Sequence, residues 1–244
     1  MNRLLDSIFE TKKYTSSRGR VFDIFGETSK GQCEFLQHIV IDNQFKKSIE
    51  IGFAFGVSTL AICEAITLNE GMHVVIDKYE MTDWDGVGLD LLSQAYLSDH
   101  IEFYEEFCYK VLPRLIDKGR SFDFCYIDST KQFDWMLTDF FFVDKLLQVG
   151  GVIVFDDVSY PGIRKLLRYI SQFPHYEVYR TYPCNRGLSV KRSMLSYLRY
   201  LPKSEKFLKE EVMHSDYEMG INCSCVALRK IGEDKRNWDW HVDF

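Results

Sequence analysis

Short apolar runs and longer segments of helical period alternate along most of the chain. "KSIEIGF" leads into "VSTLAICEAITLN", "MHVVID" into "GVGLDLLSQAYL", and "IEFYEE" into "CYKVLPRLIDKG". The series goes on with "FDFCYID" before "WMLTDFFFVDKLLQ" and "GGVIVFDD" before "YPGIRKLLRYISQF", making five strand-then-helix units. The strands are apolar almost throughout, which predicts a parallel sheet buried under helices on both faces. In such a sheet ligands bind at the C-terminal ends of the strands.

Two later β-type runs, Tyr176 to Tyr182 and Asn222 to Ile231, add strands to that sheet. The stretch between them is too short and too polar for an ordinary crossover helix with tight turns. It holds a basic amphipathic segment, "SVKRSMLSYLRYLPKSEKFLKEEV", broken by Pro202, and reads as an insert over 183–221. Residues 1–45, with helical "GQCEFLQHIVID", read as an N-terminal cap over the sheet edge. No internal repeat, low-complexity tract or flexible linker interrupts the chain, so 1–244 is expected to be a single domain.

A hydrophobic content of 46% over 244 residues supports a substantial core. A net charge of −6 argues against nucleic acid as a main partner, because a backbone-binding protein presents a basic face. The seven cysteines are odd in number, scattered and without a CxxC pair, which fits small buried hydrophobes in a reducing compartment. No run reaches the roughly 18–20 apolar residues of a membrane helix, and the N-terminus lacks a signal-peptide core, so the expected location is cytoplasmic.

The most distinctive turn is "IEIGFAFGVSTL", Ile49 to Leu60. A strand ending near Glu50 runs through Gly52, Ala54 and Gly56 into a helix that begins at Val57. Very small residues there are expected to let a ligand approach backbone, and the helix N-terminus offers free N–H groups to an anion. The G-x-G-x-x-G dinucleotide fingerprint is met poorly, since Ala54 and Val57 stand where glycines belong. Asp77 closes the second strand 25 residues beyond Gly52, where a carboxylate can take ribose hydroxyls.

Two further strand ends carry acids. "FDFCYID" runs into Asp128, with Lys131 three residues on, and "GGVIVFDD" runs into Asp156 and Asp157. Carboxylates gathered at one rim repel unless a cation lies between them, and hard oxygen ligands suit Mg²⁺, Mn²⁺ or Ca²⁺. The alternative is a set of solvated helix caps. Lys131 beside a dication would have its pKa lowered and could accept a proton; it could equally be a solvated lysine in a first helical turn.

With these residues in hand, the chain resembles class I S-adenosylmethionine-dependent methyltransferases. "EIGFAFGVSTL" looks like their first motif, with Ala54 in place of the middle glycine; "VVIDKYE" looks like the acidic second motif, and "LLQVGGVIVFDD" like the fifth-strand signature. "YIDSTKQF" followed by "FDDV" is similar to the cation-dependent O-methyltransferases of the catechol and caffeoyl-coenzyme A type. The framework is equally close to a bacterial group with D-G-x-H-x-Y, where this chain has Ser129 for the glycine and Lys131 for the histidine. The resemblance implies a Rossmann-like doubly wound sheet of seven strands, mostly parallel with the last antiparallel.

It also implies roles. Glu50, Gly52, Ala54, Gly56 and Ser58 would hold the methionine end of S-adenosylmethionine. Asp77 would take the ribose, with Lys78 and Tyr79 beside it, and Phe107 and Cys108 would lie near the adenine. Trp84 either closes the same pocket or serves the core. Asp128, Asp156 and Asp157 would hold a divalent cation such as Mg²⁺, with Asp128 also near the cofactor; Asp128 and Lys131 would be the catalytic residues, Lys131 as the base that takes the proton of the acceptor hydroxyl. The implied reaction is O-methylation of a small molecule or sugar by a chain that can pair into a homodimer. A metal-independent methyltransferase of the same fold is the alternative. A nicotinamide-dependent oxidoreductase or epimerase is another, but no tyrosine has a lysine four residues later, as the short-chain type of that chemistry would use.

Overall fold

The computed structural model describes residues 2–26, 28–183 and 214–242. The chain opens with α1 (Arg3–Thr11), β1 (Lys13–Thr15), β2 (Val21–Asp23) and α2 (Lys30–Asp42). The alternating series follows as β3 (Lys47–Ile51), α3 (Val57–Leu68), β4 (Met72–Ile76), α4 (Val87–Gln94), β5 (Ile101–Tyr104), α5 (Cys108–Asp117), β6 (Phe122–Ile127) and α6 (Phe133–Leu146). Next come β7 (Leu147–Phe155), α7 (Pro161–Ile170), β8 (Tyr176–Pro183) and β9 (Cys223–Lys230).

Strands β3 to β9 form one seven-stranded sheet in the order β5-β4-β3-β6-β7-β9-β8. β3 pairs in parallel with β4 and with β6, and β4 with β5. β9 runs antiparallel to both β7 and β8, so the expected mostly parallel sheet with a reversed last strand is present. No helix among the described residues is long and apolar enough to cross a membrane.

The described residues divide into two compact units, one comprising Met1–Ser129 with Asp139–Gln148 and the other Thr130–Thr138 with the chain from Val149 onward. In the first unit, β6 is buried along its whole length and β3 and β4 are buried past their first residue. α3 explains its own composition: Val57 through Cys63 are all buried, and a helix surrounded by protein on every side can be apolar on every side. α2 begins with a capping box in which Ser29 and Gln32 satisfy each other's backbone donors.

The N-terminal cap is more than helical. β1 and β2 pair as an antiparallel hairpin that the apolar pattern does not announce, because three-residue strands are too short to show alternation. Polar contacts dock it on α4. The Tyr14 hydroxyl donates to Asp90 Oδ2 at 2.6 Å, Ser17 N donates to the same oxygen at 2.9 Å, and Gln94 Nε2 donates to Tyr14 Oη at 2.7 Å.

In the second unit, α7 buries Ile163, Leu166, Leu167 and Ile170 along one face. Buried Arg168 of the same helix donates to the His214 carbonyl at 3.0 Å and to Asp216 Oδ1 at 2.9 Å. Trp240 of the tail packs on Tyr169 of α7 and on Phe173 just past it, its ring 5.2 Å from that of Phe173. The basic side chains of the 183–221 insert (Arg186, Lys191, Arg192, Arg199, Lys203, Lys206, Lys209) lie outside the described residues.

Candidate cofactor site

The turn after β3 winds through left-handed backbone three times, at Gly52 (φ 98°), Ala54 (φ 47°) and Gly56 (φ 75°). A side chain is excluded at the two glycines by the protein itself. A Cβ on Gly52 would lie 2.1 Å from the Asp128 carbonyl oxygen, and one on Gly56 would lie 2.9 Å from Gly88 Cα. At these two positions the close approach that requires glycine is to neighbouring backbone. Ala54 has no such excuse of size and bears the left-handed conformation with its Cβ in place, at a cost of about 1–2 kcal/mol.

Asp77, just past β4, holds the turn in shape. Its Oδ2 accepts from Phe53 N at 2.8 Å and from Ala54 N at 3.3 Å, while Oδ1 accepts from Tyr79 N at 2.7 Å. A carboxylate has about four lone-pair sites, so this set leaves room for a ligand hydroxyl. α3 starts from Gly56 with no side-chain cap, leaving the N–H groups of its first turn without a side-chain acceptor. That end of the helix carries positive partial charge and suits a carboxylate or phosphate.

A cavity of about 160 Å³ opens at this turn, lined in part by Gly52, Ala54, Ser58 and Asp128. Its wall also includes Phe25, Phe55 and Trp84, with Trp84 edge-on to Phe55 at 4.9 Å and Phe25 edge-on to Phe55 at 5.2 Å. Trp84 therefore stands at the cavity. Asp128 sits there through the close packing of its carbonyl on Gly52, and its N–H donates to Ile51 O at 2.9 Å.

Glu50 is placed differently from the sequence reading. It is fully buried below the turn, where Oε1 accepts from Ser58 Oγ at 2.6 Å and Oε2 meets His73 Nε2 at 2.9 Å. It supports the cavity through Ser58 and is no part of its lining. On the far side of Asp77, Lys78 is half-buried and Tyr79 exposed, and the Tyr79 ring stands edge-on to Phe107 at 6.0 Å. Phe107 in turn stacks on Tyr109 at 5.2 Å. Cys108 opens α5; burial and the neighbouring Asp139 push its thiol well above the ordinary range, which makes it a poor nucleophile.

Two buried carboxyls near these elements escaped the sequence reading. Burial pushes Asp139 up to about 6, against hydrogen bonds from Cys108 and from Ser129, whose Oγ lies 3.2 Å from Oδ2. Burial pushes Glu80 up to about 8, and its Oε1 accepts from Leu89 N at 3.1 Å in the first turn of α4. Each is a polar residue in a segment read as loop or as apolar helix, and pattern alone does not reveal which of those are enclosed.

In the second unit the structure brings Lys131 and Asp157 together, with Nζ 2.9 Å from Oδ2. The Lys131 carbonyl packs so tightly on Gly162 that a Cβ there would come within 2.4 Å of it. Asp157 has left-handed backbone (φ 55°), a region aspartate tolerates better than most residues. Asp156 is buried, and its Oδ1 accepts from Asp157 N at 2.7 Å and from the Cys225 thiol at 2.9 Å. These donors are all hard oxygens and suit a dication chemically, while the Lys131 ammonium already sits on one of them.

Comparison with known proteins places this geometry. Residues 49–158 match the methyltransferase domain family. The chain is 30% identical over 161 residues to caffeoyl-CoA O-methyltransferase 1 of Eucalyptus globulus, a match that covers 60% of this chain and 62% of the relative's length. The fold resembles an O-methyltransferase from Bacillus cereus solved with S-adenosylhomocysteine (TM-score 0.57, 24% identity, 64% of this chain and 75% of that one). It also resembles the O-methyltransferase TomG from Streptomyces achromogenes solved with S-adenosylmethionine (TM-score 0.60, 20% identity, 73% and 82%).

Proposed function

We propose, from the premise that residues 49–158 belong to the methyltransferase domain family, that the chain is an S-adenosylmethionine-dependent O-methyltransferase acting on a hydroxyl of a small molecule or sugar. The observation that carries the reading is the cavity at the turn after β3, where the uncapped start of α3, Ser58 and the Asp77-braced backbone meet. The helix N-terminus suits the carboxylate of the donor's methionine end, and Ser58, which lines the cavity, would accept from its ammonium. Asp77 would take the ribose with the lone pairs that the turn leaves over. The Tyr79 and Phe107 rings suit the adenine by stacking. Once bound, S-adenosylmethionine would supply a methyl group already activated on sulfur.

The protein's own work would then be to orient the acceptor oxygen in line and to keep water out. Aromatic Phe25, Phe55 and Trp84 would supply an apolar wall beside Ser58. Lys131 would accept the hydroxyl proton as the neutral amine, after its ammonium has given a proton to solvent and left Asp157. Asp156 and Asp157 would hold a divalent cation, which would supply positive charge that lowers the pKa of the acceptor hydroxyl. Incubation with a chelator is expected to lower turnover at least tenfold and added Mg²⁺ to restore it, with affinity for S-adenosylhomocysteine unchanged.

The Lys131–Asp157 pair supports a second reading, methyl transfer without metal, in which the ammonium itself balances the acid. On that reading turnover survives the chelator in full and is lost on Lys131→Met. The two readings part cleanly in a methyl-transfer assay against a panel of vicinal diols and catechols with and without chelator.

A further inference from the structure

We propose that His73, which has no contact with the cavity, is a positioning residue for the donor end of the site: through Glu50 it fixes which way the Ser58 hydroxyl points. The inference rests on the methyltransferase reading above. It starts from the register of β3 and β4, in which Ser48 lies opposite His73. Ser48 and Glu50 are two residues apart and share one face of β3, so the imidazole fits between them.

The result is a continuous buried chain of polar groups. Ser48 Oγ lies 2.7 Å from His73 Nδ1, His73 Nε2 lies 2.9 Å from Glu50 Oε2, and Glu50 Oε1 lies 2.6 Å from Ser58 Oγ. Ser48, Glu50 and His73 are fully enclosed, and Ser58 is the member that reaches the cavity. Cys63 and Cys125 are both buried and lie near enough to Glu50 to feel its charge.

Hydrogen counting sets the direction. A carboxylate only accepts, so the His73 Nε2–H and the Ser58 O–H both donate to Glu50. Serine has one hydroxyl hydrogen, and it is spent inward. Toward the cavity Ser58 can then offer only lone pairs, which accept from an ammonium and repel a carboxylate. His73 guarantees this polarity, because it occupies Oε2 and leaves Oε1 as the one oxygen aimed at Ser58. Without the imidazole the buried carboxylate loses its fixed partner, and the Ser58 hydroxyl loses a fixed acceptor.

The test is a mutant cycle read by calorimetric titration of the full chain with S-adenosylhomocysteine, which carries the same amino-acid end as the donor. His73→Leu and Ser58→Ala are each expected to weaken binding about tenfold, the scale of one charged buried hydrogen bond. The double variant is expected to bind no worse than the weaker single, since both act through one hydroxyl. His73→Gln, which can present an N–H to Glu50, should stay within about threefold of wild type, a rescue that a merely space-filling role would not give. Should His73→Leu fail to fold by thermal melting, His73→Asn takes its place; it can keep a polar partner for Ser48 but is too short to reach Glu50.

Losses that multiply to about a hundredfold in the double variant, or wild-type affinity in His73→Leu, would overturn the inference while leaving the methyltransferase reading intact. A wild-type chain that does not bind S-adenosylhomocysteine overturns both.

Discussion

Ala54 holds left-handed backbone (φ 47°) between two glycines that do so freely. Replacing it with glycine removes about 1–2 kcal/mol of strain and adds about 0.5–1 kcal/mol of chain entropy to the unfolded state. Ala54→Gly is therefore expected to raise the melting temperature by about 1–3 °C, and a fall would contradict the strain. Glu80 makes a second residue-scale case. Its folded pKa, pushed up to about 8, exceeds the ordinary value of 4.5, so the native state binds a proton that the unfolded state releases. The associated stability is whole below about pH 4.5 and drains away as pH rises toward 8, by up to about 1.4 kcal/mol per pH unit. Glu80→Gln keeps an acceptor for Leu89 N and removes the titration. It should melt higher than wild type at pH 8 and close to it at pH 5; equal melting at both would refute the burial argument. These residues also mark the limit of reading by pattern. Glu50 and His73 stand out in the sequence as polar breaks inside apolar strands, but their mutual contact depends on the β3–β4 register, and a one-residue slip would send them to opposite faces.

At the scale of elements, the strand-helix units are legible because each strand is buried on both faces and each helix follows a single period. β3, β4 and β5 begin at the first residues of the runs quoted from the sequence, and α3 begins at Val57, directly after the turn. The hairpin of β1 and β2 was not legible, since its hold on the protein lies in Asp90, 67 or more residues away from it. Asp90 accepts from Tyr14, Ser17 and Gln94 at once. Asp90→Ala is expected to cost about 1–3 kcal/mol and to speed amide exchange across residues 13–23. Exchange in β3 and β4 should remain slow, and unchanged protection of the hairpin would show that packing alone docks it. Burial and the Asp90 carboxylate also hold the Tyr14 phenol above its usual range, so the same variant should bring its titration down.

At the scale of the whole molecule, the match spans 62% of the length of the Eucalyptus relative. The parts of the proposed donor site, namely the turn, Asp77, Ser58 and the start of α3, all lie within one compact unit. The location of the cavity was legible from the glycine spacing, although the glycines serve packing on Asp128 and Gly88 and a ligand would meet backbone N–H groups and Ser58 instead. The central claim is that this unit takes an adenosyl donor and not a nicotinamide dinucleotide, which Ala54 and Val57 in place of glycines already disfavour. The measurement that tests it most directly is calorimetric titration of the full chain with S-adenosylhomocysteine and, separately, with NADH. One site for S-adenosylhomocysteine with no heat from NADH is the predicted result; NADH binding, or no binding of S-adenosylhomocysteine, would contradict it.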